Sequence, residues 1–154
     1  MSDHRLLREW LVAVRGRRLM RTLMERFVGP DGLESASAVF VWLHFEGRPI
    51  ARVSSRHGEA VGIDLEPPLP KDMGDAGSTV VLDVSQEQPF GGCVGRVVSR
   101  VALVREKGVD ECAGFELTFE NGCSLSIVNV GDELSVGRLV QSTAPACEWE
   151  SELL

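Results

Sequence analysis

Catalytic and metal-binding chemistry often depends on histidine, and this chain has three histidines, His4, His44 and His57. None of them has a cysteine or a second histidine two to four residues away, a spacing that zinc sites commonly use. No recognisable nucleophile with an orienting partner accompanies them in the sequence either. The histidines therefore predict neither a catalytic centre nor a metal site.

The four cysteines are Cys93, Cys112, Cys123 and Cys147, and no two of them form a Cys-x-x-Cys pair. In a reducing compartment they are expected to be free thiols, some of them buried as small apolar side chains. Cys93 follows two glycines and is the best candidate for a nucleophile, although such a run is more typical of a flexible entry to a strand. The run also lacks the Lys-Ser/Thr ending of a phosphate-binding loop, and the sequence predicts no cofactor.

Two adjacent acidic pairs, Asp110-Glu111 and Asp132-Glu133, are the remaining candidates for chemistry. Adjacent acids in turns are usually solvated, and a site for a hard cation needs several converging oxygens. We predict no metal there. Asp132 and Glu133 are kept as candidate binding residues, because they could form an acidic patch near Glu120.

The elements that position these side chains are predicted by an internal echo: AVFVWLHFEGRPIARVSS (38–55) resembles AGFELTFENGCSLSIVNV (113–130). At an offset of 74 residues, the matching positions are Leu43, Phe45 and Glu46 with Leu117, Phe119 and Glu120. If Asn121 is one inserted residue, matches continue at an offset of 75 between residues 47–62 and 122–137. Upstream, Gly16, Arg17 and Arg21 match Gly95, Arg96 and Arg100 at an offset of 79. The sequence therefore predicts two copies of one unit.

Each copy reads as four antiparallel strands. Phe115, Leu117 and Phe119 alternate with polar residues, which is the period of a half-buried strand, and Asn121-Gly122 predicts a type I′ hairpin turn. The predicted strands are residues 17–27, 38–46, 49–55 and 59–64, then 94–105, 113–120, 123–130 and 133–141. Residues 17–27 also fit a helical period, but the β-branched residues of the later copy favour a strand.

The predicted fold is mainly β (α+β). Apolar residues at helical spacing between Leu6 and Val14 predict an amphipathic helix over residues 2–14. Because one meander cannot bury its apolar face, the two copies should pack as a pseudo-symmetric sandwich or barrel. The predicted organisation is one compact domain with a helix (1–15), a first β repeat (16–66), a linker with an extra strand at 78–84 (67–93), a second repeat (94–141) and an acidic tail (142–154).

The copies differ on the outer face of the second strand, where Phe40, Trp42 and His44 stand in place of Gly114, Glu116 and Thr118. Because an exposed Phe-Trp pair is a costly apolar patch, we expect the N-terminal helix to cover Phe40 and Trp42. The alternative is that these three residues form a binding surface. Trp149 in the acidic tail is a further binding candidate, since the tail could dock on the domain, fray, or bind a basic partner.

Charge is distributed unevenly along the chain. The net charge is −7, yet residues 1–28 hold seven arginines against three acids, so the remaining 126 residues carry −11. An acidic body argues against nucleic-acid binding and is compatible with a basic protein partner or simply with solubility. The sequence shows no secretory signal and no apolar run long enough to span a bilayer, so a cytoplasmic protein without membrane contact is expected.

The second unit, GRVVSRV…GFELTFENGCSLSIVN…DELSVG, resembles small uncharacterised bacterial β-rich domains with Gly-Arg followed by Leu-x-Phe-x-Asn/Asp-Gly-x-x-Leu-x-Ile. The resemblance covers residues 95–137 and more loosely residues 16–62. Some of these domains are immunity proteins for secreted bacterial toxins. The resemblance therefore implies a binding protein, and it brings no catalytic residues.

Three functions remain open from the sequence. The first is a non-enzymatic, immunity-like cytoplasmic protein that binds another protein through an acidic surface. The second is a small-ligand-binding or enzymatic β-barrel with a pocket between the repeats, using His44, His57 or a cysteine. The third is a self-assembling domain, a homodimer in which Phe40 and Trp42 meet a second copy.

Overall fold

The computed structural model describes residues 4–56, 61–108, 112–131, 133–137 and 149–154, with only the backbone of residues 4, 36 and 37. Within these ranges one helix precedes ten strands. Their bounds are α1 His4–Val14, β1 Leu19–Val28, β2 Glu34–Phe45, β3 Ala51–Ser55, β4 Val61–Asp64, β5 Ser78–Asp83, β6 Val98–Glu106, β7 Cys112–Phe119, β8 Ser124–Val130, β9 Glu133–Gly137 and β10 Trp149–Leu153. Short 3₁₀ turns, Gly74–Ala76 and Phe90–Gly92, lie on either side of β5.

The strands form one antiparallel sheet. Its order is β10-β6-β7-β8-β9-β2-β1-β5, and β3 pairs with β2 and with β4 off this path. The sheet is open, because β10 and β5 lie at the two ends of the path. The prediction of a mainly β fold with an N-terminal helix is confirmed, and so is the strand predicted over residues 17–27, which is β1.

Helix α1 packs on the core through the apolar face that its sequence predicts. Leu7, Leu11 and Val14 are fully buried, and Trp10 is 6% exposed. The Trp10 ring makes edge-on contacts with Phe45 of β2, at 5.8 Å between centroids, and with Phe115 of β7, at 5.5 Å. The helix therefore packs against both β2 and β7 on the core side of the sheet.

The alternating residues of the echoed strands divide as predicted. Phe115, Leu117 and Phe119 are fully buried, whereas Glu116 and Thr118 between them are half-buried. A strand directs successive side chains to opposite faces, so this alternation fixes which face of the sheet forms the core.

The insertion predicted at Asn121 is wrong. Leu43 pairs with Ala51 in the first hairpin and Leu117 pairs with Leu125 in the second, so both connections have the same length. The type I′ turn centred on Asn121-Gly122 is also wrong, because the N–H of Gly122 donates to the carbonyl of Phe119, which makes Glu120 and Asn121 the central residues. Gly122 follows them with φ 82°, a value that favours glycine. The alignment is wrong because it matches Gly47 with Gly122. Gly47 is a central residue of the first turn, whereas Gly122 is the last residue of the second turn.

Strands β1–β5 make up one half of the sheet and β6–β10 the other. The halves pair through β2 and β9, and also through an isolated antiparallel bridge between Arg18 and Val97. Four backbone hydrogen bonds surround this bridge. They run from Gly16 N to Val98 O (2.8 Å), from Gly95 N to Leu19 O (2.7 Å), from Leu19 N to Arg96 O (3.0 Å) and from Val98 N to Arg17 O (2.9 Å). The segments before β1 and before β6 are thus paired with each other.

The end of the acidic tail docks on the sheet. Residues 149–153 form β10 and pair with β6, from Trp149 opposite Glu106 to Leu153 opposite Ala102. Glu152 accepts hydrogen bonds from Arg8 at 2.7 Å and from Arg105 at 3.0 Å, so one carboxylate joins α1, β6 and β10. Of the three alternatives for the tail, which are docking, fraying and binding a basic partner, residues 149–153 show docking.

Candidate functional site

Aromatic and charged side chains lie together on the outer face of β1, β2 and β3. Two of them, Phe40 and Trp42, are binding candidates of the sequence analysis. On adjacent antiparallel strands, Leu23 lies opposite Trp42 and Glu25 lies opposite Phe40. Trp42 in turn lies opposite Arg52 on β3. Directly opposed residues share one face of a sheet, so these side chains form a single layer.

Its place on the outer face suggests that Trp42 is exposed, but Trp42 is buried. Its side chain is 1% exposed, and its indole N–H donates to the carbonyl of Glu66 at 2.8 Å. Phe40 is half-buried and meets Trp42 edge-on, with 5.8 Å between ring centroids. The prediction that α1 covers Phe40 and Trp42 is therefore wrong, because α1 packs on the opposite face of β2, against Phe45.

Arg52 contacts both an aromatic ring and a carboxylate in this layer. The Arg52 guanidinium lies over the Phe40 ring at 4.2 Å from its centroid. It also donates two hydrogen bonds to the Asp64 carboxylate, at 2.9 and 2.8 Å. Burial opposes ionisation of Asp64, but the hydrogen bonds from Arg52 and from the backbone N–H of Glu66 outweigh it and lower the pKa of Asp64. Asp64 is therefore ionised, and its carboxylate binds Arg52 and the backbone N–H of Glu66, at the start of the connection between β4 and β5.

Glu25 is the unusual member of this layer. It is 2% exposed, and its carboxyl makes no hydrogen bond or ion pair with any residue that the structure describes. Burial raises its pKa, and the positive charges of Lys71 and Arg52 only partly oppose this effect. The Glu25 oxygens are not among the fully inaccessible side-chain atoms that lack a partner in the described residues, so the carboxyl keeps a small contact with solvent.

The β4–β5 connection, residues 65–77, passes over this layer and is fastened at both ends. At its start the Glu66 backbone bonds to Trp42 and Asp64. Towards its end, Lys71 N donates to Thr79 Oγ1 and Lys71 O accepts from Thr79 N, both at 2.8 Å. Asp72 forms an antiparallel bridge with Ser78. Between the two anchors, Pro67, Pro68 and Pro70 restrict φ.

The same connection presents apolar side chains to solvent. Leu65 is 61% exposed, Leu69 is 72% exposed and Met73 is 41% exposed. They account for three of the eight exposed large apolar side chains in the described part of the chain, yet they lie within nine residues. Glu66, Asp72 and Asp75 are exposed beside them. This segment is therefore both apolar and acidic.

Of the other predicted binding residues, His44 lies on the same face of β2 as Phe40 and Trp42, whereas Glu133 and Trp149 lie on β9 and β10. His44 is half-buried at the end of β2, opposite Arg21. Glu133 is exposed at the start of β9, opposite Val130. Trp149 is half-buried on β10, at one end of the sheet. Asp132 and His57 lie outside the described residues.

A cavity of about 200 Å³ lies between the two halves of the sheet. Met24 and Ala38 of the first half and Leu134 of the second half line it, together with Phe90 from the β5–β6 connection. Arg26 and Gln88 add polar groups to its wall. The Arg26 guanidinium is held there by Glu34, at 3.0 Å.

Sequence reasoning missed Glu25, Arg52 and the exposed residues of the connection. One signal for Glu25 was present, since an acid interrupts the apolar run LMERFV of β1. The sequence predicts a linker over residues 67–93, which contains Leu69 and Met73, and assigns Leu65 to the first repeat, so it does not predict an exposed apolar segment.

Among the described residues, no group of three or more His, Cys, Asp or Glu side chains is placed to hold a metal ion. In the same ranges, no helix has the length and apolar character needed to cross a membrane. Comparisons of the chain with protein-family models, with curated proteins and with solved structures find no match.

Proposed function

We propose that this protein is a non-enzymatic binding protein that engages a basic protein partner through the β4–β5 connection. The observation that carries the proposal is the cluster of exposed Leu65, Leu69 and Met73 on a segment fastened at both ends. Exposed apolar side chains that cluster in this way mark contact surfaces.

The anchoring of the connection favours binding over mere exposure. Ordering a flexible loop on association costs conformational entropy, and a loop already held in place avoids most of that cost. The prolines add to this effect because they restrict the free chain as well. Fully burying one Leu or Met side chain contributes about 1.5–3 kcal/mol, and because these three are 41–72% exposed, each can contribute a part of that to a complex.

Charge selects the partner class. Glu66, Asp72 and Asp75 are exposed among these apolar residues in the sequence, against one exposed base, Lys71, and none of the three acids makes an ion pair with another described residue. Unpaired acids attract a basic surface and speed its approach. The resemblance to immunity proteins supports the same function, since such a protein acts in the cytoplasm by binding a toxin.

The test compares capture of host proteins at low salt by three forms of the full chain. The wild type and a control with Leu33→Ser and Leu153→Ser should capture the same basic protein, because those two exposed leucines lie elsewhere. A variant with Leu65→Ser, Leu69→Ser and Met73→Ser should lose it. Equal capture by all three forms overturns the proposal, and so does light scattering that shows a dimer broken only by the triple variant.

We also propose that the two halves are copies of one five-stranded unit related by a pseudo-two-fold axis between Arg18 and Val97. The supporting registers match with one offset for each pair of strands: 79 residues from β1 to β6, 74 from β2 to β7 and from β3 to β8, and 70 from β5 to β10. The matching pairs are Arg21–His44 with Arg100–Thr118, Val41–Val53 with Phe115–Ile127, and Leu23–Asp83 with Ala102–Leu153. The hydrogen bonds around the Arg18–Val97 bridge exchange under the same relation. An experimental structure in which β1–β3 and β5 do not superpose on β6–β8 and β10 overturns it.

A second candidate function is the binding of a small molecule between the halves. The cavity favours it, because Arg26, Glu87 and Gln88 place charged and polar groups beside Met24 and Phe90 there, a lining that suits a small polar molecule. A fragment screen followed by protein-observed NMR should find hits that shift Ala38 and Phe90, and an Ala38→Leu variant should lose them by filling the cavity. A wild type that binds no fragment there removes this candidate.

A further inference from the structure

Two cysteines that are distant in the sequence lie in contact. The Sγ atoms of Cys93 and Cys123 are 3.3 Å apart, so no disulfide bond joins them in the structure. Cys93 is fully buried, whereas Cys123 is partly exposed. A disulfide bond needs about 2.0 Å between the sulfurs, so a shift of little more than 1 Å would join them.

The backbone around the pair is held in register. The Asn121 side chain donates to the carbonyl of Gly92 at 3.0 Å and accepts from the N–H of Cys123 at 3.2 Å. One amide therefore ties the residue before Cys93 to Cys123 itself. Gly92 also lets the Cys123 thiol approach, since a Cβ at this position would lie 2.9 Å from its Sγ.

The geometry points to a thiol pair, Cys93 and Cys123, that hydrogen peroxide oxidises to a disulfide. Cys123 is the residue that peroxide should attack, because it is partly exposed whereas Cys93 is fully buried. Its thiolate attacks one peroxide oxygen, so that an S–O bond forms, the O–O bond breaks and the leaving hydroxide takes a proton to become water. Cys123 is then a sulfenic acid.

Cys93 resolves this intermediate. Its thiolate attacks the Cys123 sulfur, the S–S bond forms, the S–O bond breaks and the second hydroxide leaves as water. In sum, two thiols and one hydrogen peroxide give one disulfide and two water molecules. The product joins the segment before β6 to the β7–β8 turn, and this modification is independent of the proposed partner binding.

Cys112 is the internal comparison. It is fully buried, its thiol donates to the carbonyl of Gly114 at 2.9 Å, and burial raises its pKa. A thiol with a raised pKa forms little thiolate at neutral pH and reacts slowly. Cys112 should therefore stay reduced while Cys93 and Cys123 are oxidised.

The experiment treats the folded full chain, carrying Cys147→Ser so that only the three described cysteines remain, with stoichiometric hydrogen peroxide. Intact-mass measurement should show the loss of two hydrogen atoms, and peptide mapping should find a Cys93–Cys123 link. A Cys93→Ser variant should instead trap a sulfenic acid on Cys123 that dimedone labels, and a Cys112→Ser variant should behave as its parent.

Two results overturn the inference. One is a folded parent chain that keeps three reduced thiols, or whose disulfide includes Cys112. The other is dimedone labelling of Cys93 in a Cys123→Ser variant at the rate seen for Cys123 in the Cys93→Ser variant. Mapping of the parent chain decides the matter without any variant, so a destabilised serine substitution does not obscure the answer.

Discussion

Glu25 and Phe40 lie directly opposite each other on β1 and β2, and Val104 lies opposite Gly114 on β6 and β7. Under the two-fold relation that we propose, Val104 takes the position of Glu25, and Val104 is fully buried. That relation predicts that the fold accepts an aliphatic side chain in place of the carboxyl.

Replacing Glu25 with valine should therefore stabilise the protein at neutral pH. Burial raises the pKa of Glu25 in the folded state above its ordinary value of 4.5. Its contribution to stability is complete below that value and is lost as the pH rises through the folded-state pKa. A carboxyl that is harder to ionise in the folded state destabilises the protein at pH 7, so we expect the valine variant to have the higher free energy of unfolding there.

Urea denaturation at several pH values checks this prediction, with Glu25→Gln as a variant that removes the charge and keeps the shape. The advantage of Glu25→Val over the wild type should shrink as the pH falls below 4.5, where the carboxyl is protonated in both states. A valine variant that is less stable than the wild type at pH 7 would mean that Lys71 and Arg52 hold the carboxylate more strongly than burial opposes it.

The sequence predicted elements better than their assembly. Local periodicity was sufficient for α1 and for the β7–β8 hairpin, because the spacing of Trp10 or of Phe115 and Leu117 is fixed by helix and strand geometry. It was not sufficient to decide which sheet face α1 covers. That choice depends on Phe45 and Phe115, which lie far from Trp10 in the sequence and come close to it only in the fold.

Two features had no local signal of comparable strength. The strand β10, WESEL, has few apolar residues, and it forms because β6 offers an unpaired edge and because Arg8 and Arg105 bind Glu152. Burial of Trp42 likewise depends on the carbonyl of Glu66, a backbone group that every residue possesses and that no sequence pattern marks.

The anchoring of the β4–β5 connection leads to a prediction for Trp42. Trp42→Phe removes the indole donor to Glu66 and keeps an aromatic ring, so the free energy of unfolding should fall by about 1 kcal/mol. The start of the connection should also open more often. Trypsin cleavage after the exposed Lys71 should therefore become faster.

Trp149→Phe is the matched control for this change. The indole nitrogen of Trp149 is buried and has no hydrogen-bond partner in the ranges that the structure describes. Its removal should leave stability unchanged or slightly raised, and it should not alter cleavage at Lys71. Equal acceleration by both variants would show that ring size, and not the Glu66 hydrogen bond, holds the connection.

The position of Trp10 between Phe45 and Phe115 predicts a large cost for its removal. Trp10→Ala should destabilise the protein by about 3–5 kcal/mol, because it opens a cavity at the contact of α1 with both halves. Leu6→Ala on the same helix should change stability by less than about 0.5 kcal/mol, since Leu6 is 53% exposed. Thermal or urea unfolding followed by circular dichroism measures both. If Trp10→Ala unfolds like the wild type, the packing of α1 on the core is disproved.

The joint hydrogen bonding of Arg8 and Arg105 to Glu152 predicts how β10 is retained. These hydrogen bonds lower the pKa of Glu152, so its contribution is present above the unfolded-state pKa and is lost as the pH falls through the lower folded-state pKa. The three side chains are partly exposed, and the net contribution should stay within about 1 kcal/mol. Glu152→Gln should therefore loosen β10 without unfolding the domain.

Hydrogen exchange resolves this local effect. In Glu152→Gln the amides of residues 151–154 should exchange several-fold faster at pH 7, while those of β7 should not change. Glu150→Gln is the control, because Glu150 is exposed on the same strand and makes no ion pair with another described residue. High salt should reduce the difference between the variants, since partly exposed ion pairs are screened. Equal exchange of β10 in wild type and Glu152→Gln would mean that the backbone ladder to β6 alone retains the strand.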